Sequence, residues 1–578
     1  MTPSSDISRR PRLDRRDAAF FLLLAAAAVF FFWRVRYGFA NIDESFYPTI
    51  ARRLTQGDKL LIDEWHVSQL SGVLLYLPVW LFERMTGGTD GIYLALRYLC
   101  VAVQCLTAAA VYLRLRRYHR AGAAAGALAL AVYTPFGINA LSYNSFGVLF
   151  MALTGALLIP AEEKSRAAYL LAGLCFAGAV LCCPYLVLVY LLYALAALLL
   201  RKKNSRLPAL SVRAFGLFTL GAAILAVVFF LVGLAGADLS RLPAALRGIF
   251  SDPEHAEQTS FLRSLALLLL RYPYYVFYRG GPLPGACLFA VGALSLTALL
   301  DKRRRQHAAV YLLIGILLTA AAEILYAARW THPNFVMYAA NVLALLCFVL
   351  TPPSDADAAR RFALLWWLPG MLYSGLVVLG SNQGQYAVFS AAACVVPCSM
   401  TVLFRTAKQI LPEGKRFRAA AAAALAVLVL SQVGGAAYLR YRNVFWGATI
   451  REQTETIAEG THKGLIVEPG AAAKYAATQP AMAELARRSN GGRVLVLTEY
   501  TWMSMGGYQS AAYSAWLSGV NDASLDRLEM YYALNPENRP TVVWAAAEDA
   551  AIAEAFCTRF WYLAETTPDG IFLTPVQY

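Results

Sequence analysis

Residues 68–85, SQLSGVLLYLPVWLFERM, decide how the chain is laid out. The stretch is apolar enough to be counted as a membrane-spanning helix. Counting it would place the basic cluster RLRRYHR, which begins at Arg114, outside the membrane. Short clusters of Lys and Arg beside apolar runs favour the cytoplasmic side. If residues 68–85 instead lie in or against the outer membrane face, the helix at 92–113 runs inward. RLRRYHR is then cytoplasmic, and so is every later cluster, among them RKKNSR from Arg201 and DKRRRQ from Asp301. Pro78 also weakens a simple spanning helix, although membranes tolerate proline where neighbours re-satisfy the backbone. The in-plane reading follows.

Upstream, Arg9, Arg10, Arg12, Arg15 and Arg16 precede an apolar run at 18–33, and only Arg34 and Arg36 follow it. That asymmetry puts the N-terminus in the cytoplasm. No small-residue cleavage site follows, so the run reads as an uncleaved anchor. Downstream, apolar runs alternate direction at 121–138, 146–160, 214–235, 283–300, 308–328, 335–350, 362–380, 386–404 and 419–438. Residues 167–200 are long enough for two helices hinged near Pro184. At roughly 20 residues per crossing this gives about thirteen spans. An odd number puts the tail outside.

Composition agrees. Of 578 residues 59% are hydrophobic and 15% charged, and the mean hydropathy is +0.50. Soluble domains have roughly 45–50% apolar and about 25% charged residues. The net charge of +15 divides into +19 before Arg440 and −4 from Arg440 onward, so it follows the helix-flanking clusters. A nucleic-acid partner is therefore not expected. Nine of the ten cysteines lie in apolar runs and only Cys557 is in the polar tail, which excludes a disulfide within the tail. No Cys/His cluster has zinc-ligand spacing.

The tail alternates β-rich runs (GLIVEPG from Gly464, RVLVLTEY from Arg493, TVVWAAA from Thr541) with helical runs at 472–488 and 549–560. The fold class expected is an α-helical polytopic membrane domain, 1–439, followed by a small extracytoplasmic α/β domain, 440–578. No glycine-rich phosphate fingerprint follows any tail strand.

Chemistry concentrates in the first outward loop. Asp43 and Glu44 emerge directly after the first helix, and Asp63, Glu64 and His66 follow just before the in-plane segment. A partly desolvated carboxylate beside a second one has a raised pKa and can act as a general base toward a hydroxyl. A phosphate leaving group needs cationic neutralisation and no proton. Arg52, Arg53, Arg97, Arg271 and Arg279, or a divalent metal ion, would supply it.

Several features of 43–97 occur together: DE directly after helix one, the I-A-R-R-L-x-x-G run, D-E-W-H, an L-L-Y-L in-plane helix and A-L-R before the second span. Over these fifty-five or so residues the chain resembles the GT-C glycosyltransferases, in particular the bacterial branch related to protein O-mannosyltransferases and aminoarabinose transferases. The resemblance implies a GT-C fold, a polyprenyl-phosphate-linked sugar donor, a hydroxyl acceptor and inversion at the sugar carbon. It implies that Asp43 is the catalytic acidic residue, acting as base, with Glu44 its acidic neighbour in the catalytic pair and Arg97 at the outer start of the second span. Asp63 and His66 fall where relatives have an acidic or basic residue ahead of one or more prolines, and Asp63, Glu64 and His66 are substrate-binding candidates on that resemblance. Val67, Ser68 and Gln69 stand here instead.

Other candidates rest on position. Asn139, Ser142, Tyr143 and Asn144 cluster in INALSYNSF, where a helix start can donate to a phosphate or sugar oxygen or simply be capped. Glu323 lies near the outer end of a span with Arg329 and His332 beyond, and a buried carboxylate in a span is costly unless it functions. Tyr272, Tyr274, Tyr275, Phe277 and Tyr278 suit an interfacial aromatic belt or a stacking surface. The reading is a glycosyltransferase at the outer face of a bacterial cytoplasmic membrane. The alternatives are a secondary transporter or lipid flippase, and a lipid-linked glycan ligase or polymerase. Transporters place functional charge near the midplane in related halves. Here the acidic pairs sit in one outward loop.

Overall fold

The computed structural model describes residues 13–162, 165–200, 207–251, 261–381, 383–411, 415–445, 448–517 and 520–576. The first helix, α1 (Arg15–Arg34), is opened by a capping box in which Asp14 and Asp17 bond each other's backbone N–H. Two shorter helices follow, α2 (Asn41–Thr55) and α3 (Gly72–Thr86). They pack on each other, and α3 stops where Gly87 takes φ +75, a conformation that glycine adopts without a Cβ penalty. At 15 residues, about 22 Å of rise, α3 is shorter than a bilayer core, and Pro78 lies inside it.

The bundle continues with α4 (Ile92–Leu115), α5 (Arg120–Val132), α6 (Tyr143–Leu158), α7 (Arg166–Cys182), α8 (Val187–Leu200), α9 (Val212–Phe229), α10 (Leu242–Phe250) and α11 (Phe261–Tyr274). It is completed by α12 (Pro282–Leu300), α13 (Arg304–Arg329), α14 (Pro333–Leu350), α15 (Ala356–Phe362), α16 (Leu368–Leu376), α17 (Gln385–Ala391), α18 (Val396–Ile410), α19 (Lys415–Val429) and α20 (Gly435–Arg442). Among the described residues nine helical stretches are long and apolar enough to cross a membrane. Four shorter apolar helices lie between residues 120 and 199. The chain is a multi-pass membrane protein.

The hinge expected near Pro184 is a 3-10 turn, Pro184–Leu186, between α7 and α8. The run at 121–138 differs from expectation, because α5 is helical only to Val132. Thr134 is extended ahead of Pro135, whose ring disfavours the α region in its predecessor. In place of a long second half of that helix, a tight turn delivers residues 133–142 to the end of the bundle that carries α2.

Small residues let helices touch. A Cβ on Gly173 of α7 would lie 1.8 Å from the Phe218 carbonyl oxygen of α9, and one on Gly221 of α9 would lie 1.9 Å from the Leu170 carbonyl oxygen. Such close approach is how apolar helices gain packing energy where lipid removes the hydrophobic drive.

After α20 the chain forms an α/β region. Its helices are α21 (Pro469–Ser489), α22 (Asp522–Leu534) and α23 (Ala550–Phe560). A two-stranded antiparallel ladder joins β1 (Glu455–Thr456) to β2 (Ile466–Val467). A five-stranded sheet contains β3 (Arg493–Val496), β4 (Gln509–Ser510), β5 (Val542–Ala545), β6 (Tyr562–Thr567) and β7 (Gly570–Pro575), in the order β4-β3-β5-β7-β6. β3 runs parallel to both β4 and β5, with Val494 opposite Val542, and β7 is antiparallel to β5 and β6. All four residues of β5 are buried, as a strand covered on both faces requires. The region sits directly on the first loop: Gly38 N–H donates to the Ile466 carbonyl (2.7 Å), Ile466 N–H to Arg36 (2.8 Å) and Trp65 N–H to Tyr513 (2.8 Å).

Candidate active site

The site is built where α1 turns into α2. Arg97, on the first turns of α4, reaches back across that turn and donates to the carbonyls of Val35 (2.6 Å) and Gly38 (2.8 Å). Its Nε and Nη2 meet the two carboxylate oxygens of Glu44 at 2.5 and 2.6 Å. Both side chains are buried, at 2% exposure for Glu44 and 3% for Arg97. A two-point guanidinium–carboxylate pair fixes orientation as well as charge. Glu44 and Arg97 are thus committed to each other, and together they brace α2 against α4.

That brace aims the neighbouring residue. Asp43, one position earlier on the first turn of α2, is half-buried. Tyr47 follows it by one turn, and its ring meets that of Tyr143, the first residue of α6, edge to face at 5.8 Å. Burial, then Tyr143 and the Asp43 carboxylate, hold the Tyr47 phenol well above its usual range, while a bond with Ser142 opposes the shift. Asp43, Tyr47, Ser142 and Tyr143 therefore form one polar corner. Ser142 also caps α6 in a box with Ser145, and Asn144 is buried on the first turn of that helix.

The second acidic group of the loop faces the α/β region. Enclosed Arg53 donates to Asp58 (2.7 Å), to Glu64 (2.8 Å) and to the Asp63 carbonyl. Asp58 also accepts from Arg493 of β3 at 2.6 Å. Burial raises the Asp58 carboxyl, but Arg53 and Arg493 together hold it below the usual range. Glu64 accepts from the N–H groups of Ala515 (2.9 Å) and His66 (3.1 Å). Asp63 accepts from Lys59 N–H (2.7 Å) and Asn538 (2.8 Å), and burial followed by the Asp58 charge pushes its carboxyl up. Asp63 and Glu64 thus clamp the first loop to the α/β region, away from the corner occupied by Asp43.

His66 and Trp516 connect the two groups. The His66 ring stacks on Trp516 at 4.5 Å and 10°, and Trp516 stacks on Phe46 of α2 at 3.4 Å and 22°. Trp516 also lies 6.4 Å from Tyr47. His66 Nδ1 accepts from Ser68 N–H at 3.1 Å, so this nitrogen is engaged in the loop turn. Sequence gave no signal for Trp516. Tyr47 was findable as the residue four positions after Asp43 on one helical face.

A cavity of about 540 Å³ begins beside this corner. Tyr143 lines it, with Val67 to Leu70 of the loop, Cys182 to Tyr185 at the α7–α8 hinge, Leu246, Ile249 and Phe250 of α10, and Leu379 to Ser381 after α16. The lining is mostly apolar with a few polar groups, the usual make-up of a small-molecule site.

The remaining candidates lie elsewhere. Arg271 and Arg279 are exposed at α11 and just after it. Asn139 accepts from buried Arg440 at 3.3 Å. Glu323 is fully buried, and its partner is Ser431 on the segment after α19; Arg329 stacks on Trp330 instead. Tyr272 bonds Tyr338 (2.9 Å) and Ser374 (3.2 Å), which makes it an inter-helix tie. Among the described residues no group of three or more His, Cys, Asp or Glu side chains could hold a metal ion.

No protein-family model matches the chain, and no curated protein sequence matches it. Among solved structures it is similar to ArnT from Cupriavidus metallidurans in the apo state, at 14% identity and a TM-score of 0.40 over 97% of this chain and 98% of that one. The same protein bound to undecaprenyl phosphate gives 13% identity and a TM-score of 0.38 over the same shares. The Archaeoglobus fulgidus oligosaccharyltransferase in the apo form gives 12% identity and 0.41, covering 97% of this chain and 74% of that one. Likenesses this distant assign no residue a role.

Proposed function

We propose that the chain is a GT-C-type glycosyltransferase that moves a sugar from a polyprenyl phosphate to a hydroxyl acceptor, with Asp43 as general base. One observation carries the reading: half-buried Asp43 shares a polar corner with Tyr47 and Tyr143, and Tyr143 lines the apolar cavity. A carboxylate in the corner that Tyr143 shares with such a cavity meets both demands of the reaction, a proton acceptor and an apolar slot for a lipid-linked donor. The sequence resemblance over 43–97 supports the same assignment. Glu44 and Arg97 act as positioning residues.

In the reaction the acceptor hydroxyl passes its proton to Asp43 as its oxygen attacks the sugar's anomeric carbon. The bond from that carbon to the donor phosphate oxygen breaks, and polyprenyl phosphate leaves with the electron pair. Attack opposite the leaving group inverts the carbon. The phosphate lies toward Tyr143 and the start of α6, where the positive end of the helix dipole favours anions. Trp516 and His66 form the aromatic wall toward the acceptor, so the α/β region completes the site. The protein resides in a bacterial cytoplasmic membrane with this site outward and its N-terminus inward.

Mass spectrometry of polyprenyl-phosphate sugars and surface glycans in cells lacking the gene tests the proposal. Accumulated donor together with a glycan lacking one sugar, both restored by the wild-type gene, is the expected result. Unchanged donor and glycan pools would refute it.

A further inference from the structure

The RLRRYHR cluster has a structure of its own at the far end of the bundle. From Arg97 to Arg116 along α4 is 19 residues, about 28 Å of helical rise. There the start of α1, the α4–α5 turn and the end of α18 surround a cleft of about 610 Å³. Its charged lining comprises Arg16, Arg116, Arg117, Arg120 and Lys408.

Two of these five are neutralised. Asp17 takes Arg116, is itself held by Tyr112 O–H at 2.6 Å, and is fully buried. Asp14 takes Arg120. Arg117 is tethered by one nitrogen to the Pro160 carbonyl at 2.7 Å. Arg16, Arg117 and Lys408 have no ion pair among the described residues, so the cleft keeps an excess of about three positive charges. His119 lies in the lining, and burial followed by the charges of Lys408 and Arg405 holds its imidazole below its usual value.

Two paired arginines, Arg116 buried and Arg120 part-exposed, beside three exposed cations without an ion pair among the described residues make a receptor for an oxyanion. The position fits one source. The cleft opens among the ends of apolar helices, on the face that the basic clusters assign to the cytoplasm, where the leaflet surface is anionic. We propose that it binds the phosphate headgroup of an anionic lipid from the inner leaflet, as a site separate from the cavity beside Asp43. Occupancy ties α1, α4, α5 and α18 together at the end opposite the brace of Glu44 and Arg97. The proposal does not depend on the glycosyltransferase reading.

Native mass spectrometry of the full-length protein in detergent, titrated with phosphatidylglycerol, phosphatidylethanolamine or inorganic phosphate, tests it. The wild type should retain one phosphatidylglycerol in preference to phosphatidylethanolamine. R117Q/K408Q should bind phosphatidylglycerol about thirtyfold more weakly, at roughly the effect of one surface cation each. R303Q/R304Q, which removes two exposed charges from another helix end, should bind like the wild type. Displacement of the lipid by millimolar phosphate would support the oxyanion site and make free phosphate its occupant. Equal phosphatidylglycerol binding by the wild type and R117Q/K408Q, with matching melting temperatures in lipid-free detergent, would overturn the proposal. Equal retention of the two lipids by the wild type would overturn it too.

Discussion

Breaking the Glu44–Arg97 pair separates bracing from catalysis. The guanidinium makes four short bonds, two to Glu44 and two to the Val35 and Gly38 carbonyls. Arg97→Met therefore leaves a buried carboxylate and two carbonyls without their donors, whose remaining contact from Ala40 N–H is long at 3.4 Å. Removing one partner of a buried pair costs about 3–5 kcal/mol, and the stranded carbonyls place this variant at the upper end. Glu44→Gln keeps an acceptor oxygen and leaves Arg97 its two carbonyls, so about 3 kcal/mol is expected. In the double variant no charge is left buried, and its loss should fall short of the sum of the single losses by about 2 kcal/mol or more. The assay is unfolding in mixed micelles followed by tryptophan fluorescence, with turnover measured per folded molecule. Turnover of the folded Glu44→Gln fraction should stay within a few-fold of wild type. Additivity within about 0.5 kcal/mol, or a thousandfold loss of turnover without loss of stability, would refute the bracing role.

Two further outcomes follow from the aromatic wall and the α/β region. Trp516→Ala removes the ring stacked between Phe46 and His66, and should raise the KM for acceptor about tenfold while leaving donor binding unchanged; unchanged acceptor kinetics would contradict its place in the site. His462 is buried against Phe39 and Tyr475, and burial, then Arg97, holds its imidazole well below its usual value. The unfolded chain takes up that proton below pH 6.5 and the folded one does not, so stability present at pH 7.5 falls by about 1.4 kcal/mol at pH 5.5. His462→Phe should flatten the pH dependence of melting by that amount, and an unchanged slope would contradict the account.

Much of the fold was legible because its signals are local. The hinge at Pro184, a separate short helix α3 with Pro78 inside it, helices α21 and α23 and strands β3 and β5 all appear where apolar period and proline placed them. The β6–β7 hairpin was not anticipated, although Pro568-Asp569-Gly570 is a turn signal with a known mechanism. The site was legible to a smaller extent, since side-chain type does not reveal a partner. Glu44 and Arg97 lie 53 residues apart, and Asp58 meets Arg493 across 435. Only packing shows that Glu44 faces Arg97 while Asp43 sits beside Tyr47 and Tyr143. The shortening of α5 reflects Pro135, which hydropathy counted as part of a span.

The central claim is that Asp43 is the base. Purified wild-type and Asp43→Asn proteins, each incubated with a polyprenyl-phosphate sugar and acceptor, should differ in release of polyprenyl phosphate by about 10²–10⁴-fold, the usual contribution of a general base. Donor affinity and melting temperature should be equal. Release by Asp43→Asn at the wild-type rate would remove Asp43 from the chemistry and contradict the assignment of this corner as the active site.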